Sequence, residues 1–195
     1  VAVPAADADL VRRCLHGDPA AMRELVERFQ SDVYSLCARL LNNTHDAEDV
    51  AQEVFLRVFR SLGKWDATRP LRPWVIGITV NRCRTWISRR PRRPELVDFL
   101  AESTAAASDS DDGGELSEAI RIAVDNLRPE YREVFVLFHE QGRPYEEIAE
   151  AVGRPVGTVK TWLHRARAEL LNRLRRKGLI QEEETPPSSQ PMRRV

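Results

Sequence analysis

The chain has 195 residues, 42% apolar and 31% charged, enough for one medium or two small globular units, which excludes a wholly disordered protein. No apolar run nears the ~20 residues that cross a bilayer and no signal peptide opens the chain, so it reads as cytoplasmic and not membrane-inserted. Thirty basic residues balance thirty acidic ones, which would argue against nucleic acid if charge were spread evenly.

Helical periodicity runs almost throughout, and strand-like alternation is absent. A first helix is predicted from about Asp7 to His16, stopping at Gly17. Asp18 caps a second, with Pro19 at its first position and the stripe Met22, Leu25, Val26, Phe29, Val33, Leu36, Cys37, Leu40. Thr44 reads as the cap of a third, with core stripe Ala47, Val50, Ala51, Val54, Val58, Leu62 and a polar stripe Asp46, Asp49, Gln52, Glu53, Arg60 opposite. A loop, Lys64 to Pro70, leads into a fourth helix from about Leu71 to Arg89, closed by Pro91 and Pro94. Gly77 within it costs about 1 kcal/mol relative to Ala, which close packing against another helix would explain.

Residues 95–114 read as a flexible acidic linker, too poor in large apolar groups to pack. A second unit, 115–178, carries helices at about Glu115–Asn126, Pro129–Glu140, Tyr145–Val152 and Pro155–Arg176. The tail, 179–195, is acidic and then Pro- and Ser-rich and reads as disordered. The opening valine suggests that the initiator Met is absent, and only this short tail follows the second unit.

Charge is clustered along this plan. Arg82, Arg84, Arg89, Arg90, Arg92 and Arg93 fall together with no acid between them, and Arg154 to Lys177 holds a single acid, Glu169. Glu95 to Glu118 has no Lys or Arg. A phosphate backbone feels such local fields rather than the net charge. Cys14, Cys37 and Cys83 have no metal-ligand or redox spacing. Cys37 sits in an apolar stripe and reads as buried and inert.

Tyr145–Arg176 has the plan of a helix-turn-helix. A short helix is held by Ile148, Ala149 and Val152, and Gly153 makes the turn. A longer helix buries Val156, Val159, Leu163, Ala166, Leu170 and Leu174 and shows Lys160, Thr161, His164, Arg165 and Ala168 outward. The fourth helix brings Trp65, Trp74 and Trp86 near the arginine cluster, with Asn81 mid-helix. Aromatics interleaved with Arg suit unpaired nucleic acid, and a side-chain amide can pair with a base edge. Trp74 reads as core rather than platform, Trp65 beside the loop stays open between the two, and a buried structural role would also explain Asn81.

Taken in order, DAEDVAQEVF, the Trp/Asn/Arg helix, the acidic linker and LRPEYREVFVL…YEEIAEAV…PVGTVKTWLHRARAEL resemble a bacterial RNA polymerase sigma factor of the extracytoplasmic function (group IV) type, over roughly Asp9 to Leu174. The resemblance implies an all-α protein of two small domains: sigma domain 2 (1–94), the linker (95–114) and sigma domain 4 (115–178). It implies docking on core polymerase through Asp49, Gln52 and Glu53, with Phe55 and Phe59 nearby, against the β′ coiled coil, and contact with the β flap. It implies that Trp65, Asp66, Ala67, Thr68 and Arg69 form a −10 specificity loop. Asn81 would line the pocket for a flipped base, with Arg82, Arg84, Arg89 and Arg90 on the DNA. It implies −35 contacts from Arg154, Thr158, Lys160, Thr161, His164, Arg165 and Arg167. The Arg173–Lys177 cluster suits phosphates. No cofactor and no metal are expected. The partners implied are core polymerase, promoter DNA and an anti-sigma factor, the free chain being monomeric.

Two departures stand out. Thr161-Trp162 replaces the usual Ser-Arg pair, and Pro70, Leu71 and Pro73 stiffen the lead into Trp74. The rival readings are a stand-alone helix-turn-helix regulator, which would not need the Asp49/Gln52/Glu53 stripe, and an enzyme. The enzyme lacks any nucleophile–base pair, phosphate loop or metal set in the sequence.

Overall fold

The computed structural model describes residues 5–89 and 112–180. Four helices form the first unit: α1 (Ala5–Leu15), α2 (Pro19–Leu41), α3 (Thr44–Ser61), continued by a 3-10 turn at Leu62–Lys64, and α4 (Leu71–Arg89). The second unit holds α5 (Asp112–Asp125), α6 (Pro129–Phe135), α7 (Tyr145–Val152) and α8 (Val156–Arg176). The expectations for Arg90, for Pro91 to Asp111 and for the tail from Gln181 lie outside the described residues.

Local chemistry sets most boundaries. Asp18 accepts the Ala20 N–H at 2.8 Å, with Pro19 following it as read from sequence. Asn42 takes the left-handed conformation (φ 52°) and ends α2 through its N–H to the Ala38 carbonyl. The cap of α3 is Asn43 rather than Thr44: its side-chain oxygen accepts the Asp46 N–H at 3.0 Å from an extended backbone, and Thr44 is already helical. The start of α4 is held from far away, because buried Asp7 of α1 accepts the Leu71 N–H at 3.2 Å. Pro155 stands just outside α8 in extended conformation instead of opening it. α5 begins at Asp112, three residues ahead of the expected Glu115. Beyond α6 the backbone widens into a π turn, Val136–Glu140.

In the first unit α2, α3 and α4 bury Phe29, Val33, Leu36, Val50, Val54, Leu71, Val75 and Val80. This core does not stop at the unit boundary. It runs on through Leu137, Ile148, Val152 and Leu163 of the second unit, with α7 laid along α4. A Cβ at Gly77 would stand 3.0 Å from the Ala151 carbonyl oxygen, so the glycine sits at a close helix crossing. Polar contacts ring the junction. Arg84 meets Glu133 at 2.6 Å, Arg143 meets Asp32 at 2.6 Å, and Arg39 pairs with Glu140 at 2.8 Å and with Asp125. Two helical units were expected; their sharing of one core was not.

Candidate nucleic-acid interface

The loop after the 3-10 turn is built around Asp66. Its carboxylate accepts the Thr68 N–H at 2.9 Å and the Thr68 hydroxyl at 2.7 Å, and the Arg69 N–H closes on the Asp66 carbonyl at 2.9 Å. The Thr68 hydroxyl, then the Thr68 N–H, holds the Asp66 carboxyl below its ordinary range. Ala67, Thr68 and Arg69 are exposed. Trp65 is buried at 8% exposure and anchors the loop to the core, and its indole N–H has no acceptor among the described residues.

This loop and α4 line a cavity of about 610 Å³ that includes Trp65, Asp66, Arg69, Trp74, Asn81 and, from α7, Glu150. Asn81 is exposed, so a buried structural role does not account for it. Trp74 is half-buried, packed on the core and lining the cavity at once. An aromatic face, an amide with both donor and acceptor atoms, and nearby cations match the needs of an unpaired base and its phosphate.

The structure divides the arginine cluster. Arg82 does not face open solvent: its side chain is 11% exposed, ion-paired with Glu53 of α3 and stacked over the Trp86 ring at 5.9 Å. Arg84 is engaged by Glu133, whose own carboxyl is pushed up by burial even as Arg84 pulls it down. Arg89 is exposed.

On α3, Asp49 and Gln52 are exposed and Glu53 is half-exposed, whereas Asp46, expected on the same polar stripe, is buried. Phe55 and Phe59 pack partly against the core. Beside them lies a groove of about 490 Å³ between α2 and α3, lined by Val26, Tyr34, Ala51, Gln52 and Phe55 among others. Tyr34 (40% exposed) and Leu56 (54%) add apolar surface here that the sequence reading did not single out. The signal was present, since both stand off the stripes that fill the core.

On α8, Lys160, Thr161, His164, Arg165 and Arg167 are exposed along one face, and Arg154 stands exposed at the turn before it. Thr158 is half-buried. The Thr161 hydroxyl donates to the Gly157 carbonyl at 2.9 Å. Lys160 lies 5.3 Å over the Tyr145 ring. Half-buried Trp162 packs on the core and carries Arg154 over its ring at 6.0 Å, so packing and a cation–π contact stand at this position. Arg167 donates to His139 Nε2 at 3.0 Å, and burial, then Arg167, holds that imidazole below its ordinary pKa. Arg173 is tied down by the Asn126 carbonyl and Glu169, so it is less free for phosphate than its cluster suggested. Among the described residues no group of three metal-ligating side chains comes together, and no helix is long and apolar enough to cross a membrane. Cys14, Cys37 and Cys83 are all buried.

Residues 25–93 match the sigma-70 region 2 family and residues 117–170 the sigma-70 region 4 family. The chain is 31% identical to the ECF RNA polymerase sigma factor SigW of Bacillus subtilis over 179 residues, covering 85% of this chain and 95% of that protein. It is 33% identical to the ECF RNA polymerase sigma-E factor of Haemophilus influenzae, covering 86% and 95%. With SigE of Mycolicibacterium smegmatis the identity is 36%, over 79% of this chain and 63% of that protein. Among solved structures it resembles CnrH in complex with the cytosolic domain of CnrY (TM-score 0.67, 25% identity, 88% of this chain and 98% of that one). It also shares its fold with the sigma factor RpoE bound to the anti-sigma factor NepR from Bartonella quintana (TM-score 0.61, 20% identity, 78% and 96%).

The chain belongs to the extracytoplasmic function sigma factors of the sigma-70 family. It is not an enzyme. It binds core RNA polymerase and directs promoter recognition.

Proposed function

We propose that the cavity beside Asn81 captures an unpaired base of melted −10 DNA, while the exposed face of α8 reads the −35 major groove. The observation that carries this reading is the pairing, in one chain, of an aromatic and amide-lined cavity under a braced loop with an exposed basic recognition helix. Each element alone has bland explanations; together they supply the two contacts a promoter needs. Asn81 offers base-edge hydrogen bonds and Trp74 a stacking surface, with buried Trp65 bracing the loop behind them. Lys160 and Arg165 suit guanine edges, Thr161 and His164 bases or phosphates, and Arg154, Arg167 and Thr158 the flanking backbone. Arg89 and Arg90 would follow the melted strand, with Arg82 and Arg84 joining it once released from their carboxylates.

Core docking is assigned to Asp49, Gln52 and Glu53 with Phe55 and Phe59, toward the β′ coiled coil, and region 4 to the β flap. Carboxylates on an outward face accept bidentate arginine pairs. The groove between α2 and α3 gives the same surface an apolar centre. The working division is region 2 over 1–94, a linker over 95–114 and region 4 over 115–178. A cytoplasmic, monomeric free chain and an anti-sigma partner complete the reading.

Run-off transcription with purified core polymerase tests it. A promoter-dependent transcript is expected, and its absence on every candidate promoter would overturn the reading. Asp49→Lys together with Glu53→Lys should abolish core binding and leave duplex binding by α8 intact. A chain that still joins core would remove α3 from the docking face.

A further inference from the structure

Three exposed cations of region 4 share a feature that a basic pattern alone does not require. Each lies over an aromatic ring: Arg154 over Trp162 at 6.0 Å, Lys160 over Tyr145 at 5.3 Å and Arg167 over Phe138 at 5.4 Å. Two of the rings are themselves joined. Phe138 and Tyr145 stack with centroids 4.9 Å apart and planes 24° from parallel. Both are half-buried and packed on the core, so they form a single anchored shelf. The cations on it, Lys160 and Arg167, stand about two turns apart on one side of α8.

The shelf comes from two separate elements. Tyr145 opens α7 directly after Pro144, whose backbone is extended. Phe138 and His139 belong to the π turn Val136–Glu140, where the wider ring of backbone alters the phase of an ordinary helix. Here the Phe138 ring lies under Arg167 while His139 Nε2 accepts the Arg167 Nε–H at 3.0 Å. The imidazole is braced in turn, edge-on to Phe138 at 5.0 Å and tilted against Phe135 at 4.5 Å. Arg167 is therefore held by one face and one N–H, and its terminal N–H groups make no hydrogen bond among the described residues. A carboxylate would hold a cation by cancelling its charge, as Glu169 does for Arg173. A neutral ring holds it and leaves the charge for a phosphate or a base edge.

We propose that Phe138 and Tyr145, with His139, are positioning residues for duplex DNA: a neutral aromatic shelf that sets Lys160 and Arg167 in their reading posture before the duplex arrives. The proposal rests on the assignment of α8 to the −35 groove. Ordering a long cationic side chain at an interface costs affinity, and a ring that orders it beforehand removes part of that cost.

The test is fluorescence anisotropy of the full chain on a random-sequence duplex of about 30 base pairs, read across a salt series. Tyr145→Leu and Phe138→Leu keep apolar bulk and remove the ring face. Each should weaken binding about 2- to 5-fold. The slope of log affinity against log salt should stay unchanged, because the cations are still present. Tyr145→Phe keeps the ring and should bind like the parent. In a chain already carrying Lys160→Ala and Arg167→Ala, the leucine changes should cost nothing further. Equal losses in both backgrounds would show that the rings only hold the module together and would overturn the proposal. So would unchanged affinity after Tyr145→Leu. Should Phe138→Leu fail to fold, Tyr145→Leu and its rescue by Tyr145→Phe carry the test. Undiminished binding by the Lys160→Ala, Arg167→Ala chain would instead strike the assignment of α8 to duplex DNA, and the shelf with it.

Discussion

Gly77 shows how two residue-scale effects compete. A side chain there would relieve the helix-propensity cost of glycine, but it would press on the Ala151 carbonyl from 3.0 Å. A valine gains little propensity, being β-branched, and adds bulk at the contact, so the steric term wins. Gly77→Val should destabilise the full chain by about 1–3 kcal/mol in urea unfolding; an unchanged midpoint would mean that α7 does not rest on α4. Asn43 and Thr44 make a second pair. Asn43→Ala should cost about 1 kcal/mol as a lost cap, and Thr44→Ala should be near neutral by the same measurement. The sequence offered two adjacent capping residues, and only backbone geometry chose between them. Asp66 gives a pH prediction. Its depressed carboxyl pKa means that the brace to Thr68 is present above the ordinary aspartate value and lost as pH falls through the lower one. The Thr68 amide signal should therefore titrate with a midpoint below about 3.9, and a midpoint at or above that value would show the loop to be unbraced.

At the scale of elements, α7 and α8 were the most legible part of the chain. Their stripes Ile148/Ala149/Val152 and Val159/Leu163/Ala166 are buried as their spacing demanded, and Gly153 (φ 67°) makes the turn because an αL residue was needed there. The basic face of α8 follows from that core by elimination. Replacing Lys160 or Arg165 by Ala should weaken duplex binding; if the residue meets a phosphate, the slope of log affinity against log salt should fall by about one. A drop with unchanged slope would reassign the residue to a base edge. The stretch after α6 was less legible. The residues VLFHE carry a helical period, and nothing in them marks the π turn that presents Glu140 to Arg39 and His139 to Arg167. Trp65 was hidden for a different reason: a loop tryptophan beside arginines reads as a base platform, and burial of its ring depends on helices far away in sequence.

For the whole molecule, stripes and caps gave each helix its inner face but could not say which units share that face. Gly77, Arg84 and Glu133 look in sequence like a helix defect and two surface charges. They acquire meaning only where α4, α6 and α7 meet. Since one core crosses both units, the factor should unfold in a single transition, with far-UV circular dichroism and tryptophan fluorescence coinciding in urea. Two separated transitions would show that each unit stands alone.

The Arg84–Glu133 contact also bears on how freely such factors can be recombined. Region 2 and region 4 invite exchange between relatives as interchangeable cassettes. Here the two halves carry matched halves of one ion pair, so a chimera that brings a region 4 without a carboxylate at the Glu133 position would inherit both reading heads and leave Arg84 without its counter-charge. Such hybrids would be less stable than either parent, and the compatibility of parts would be decided at the seam instead of at the promoter.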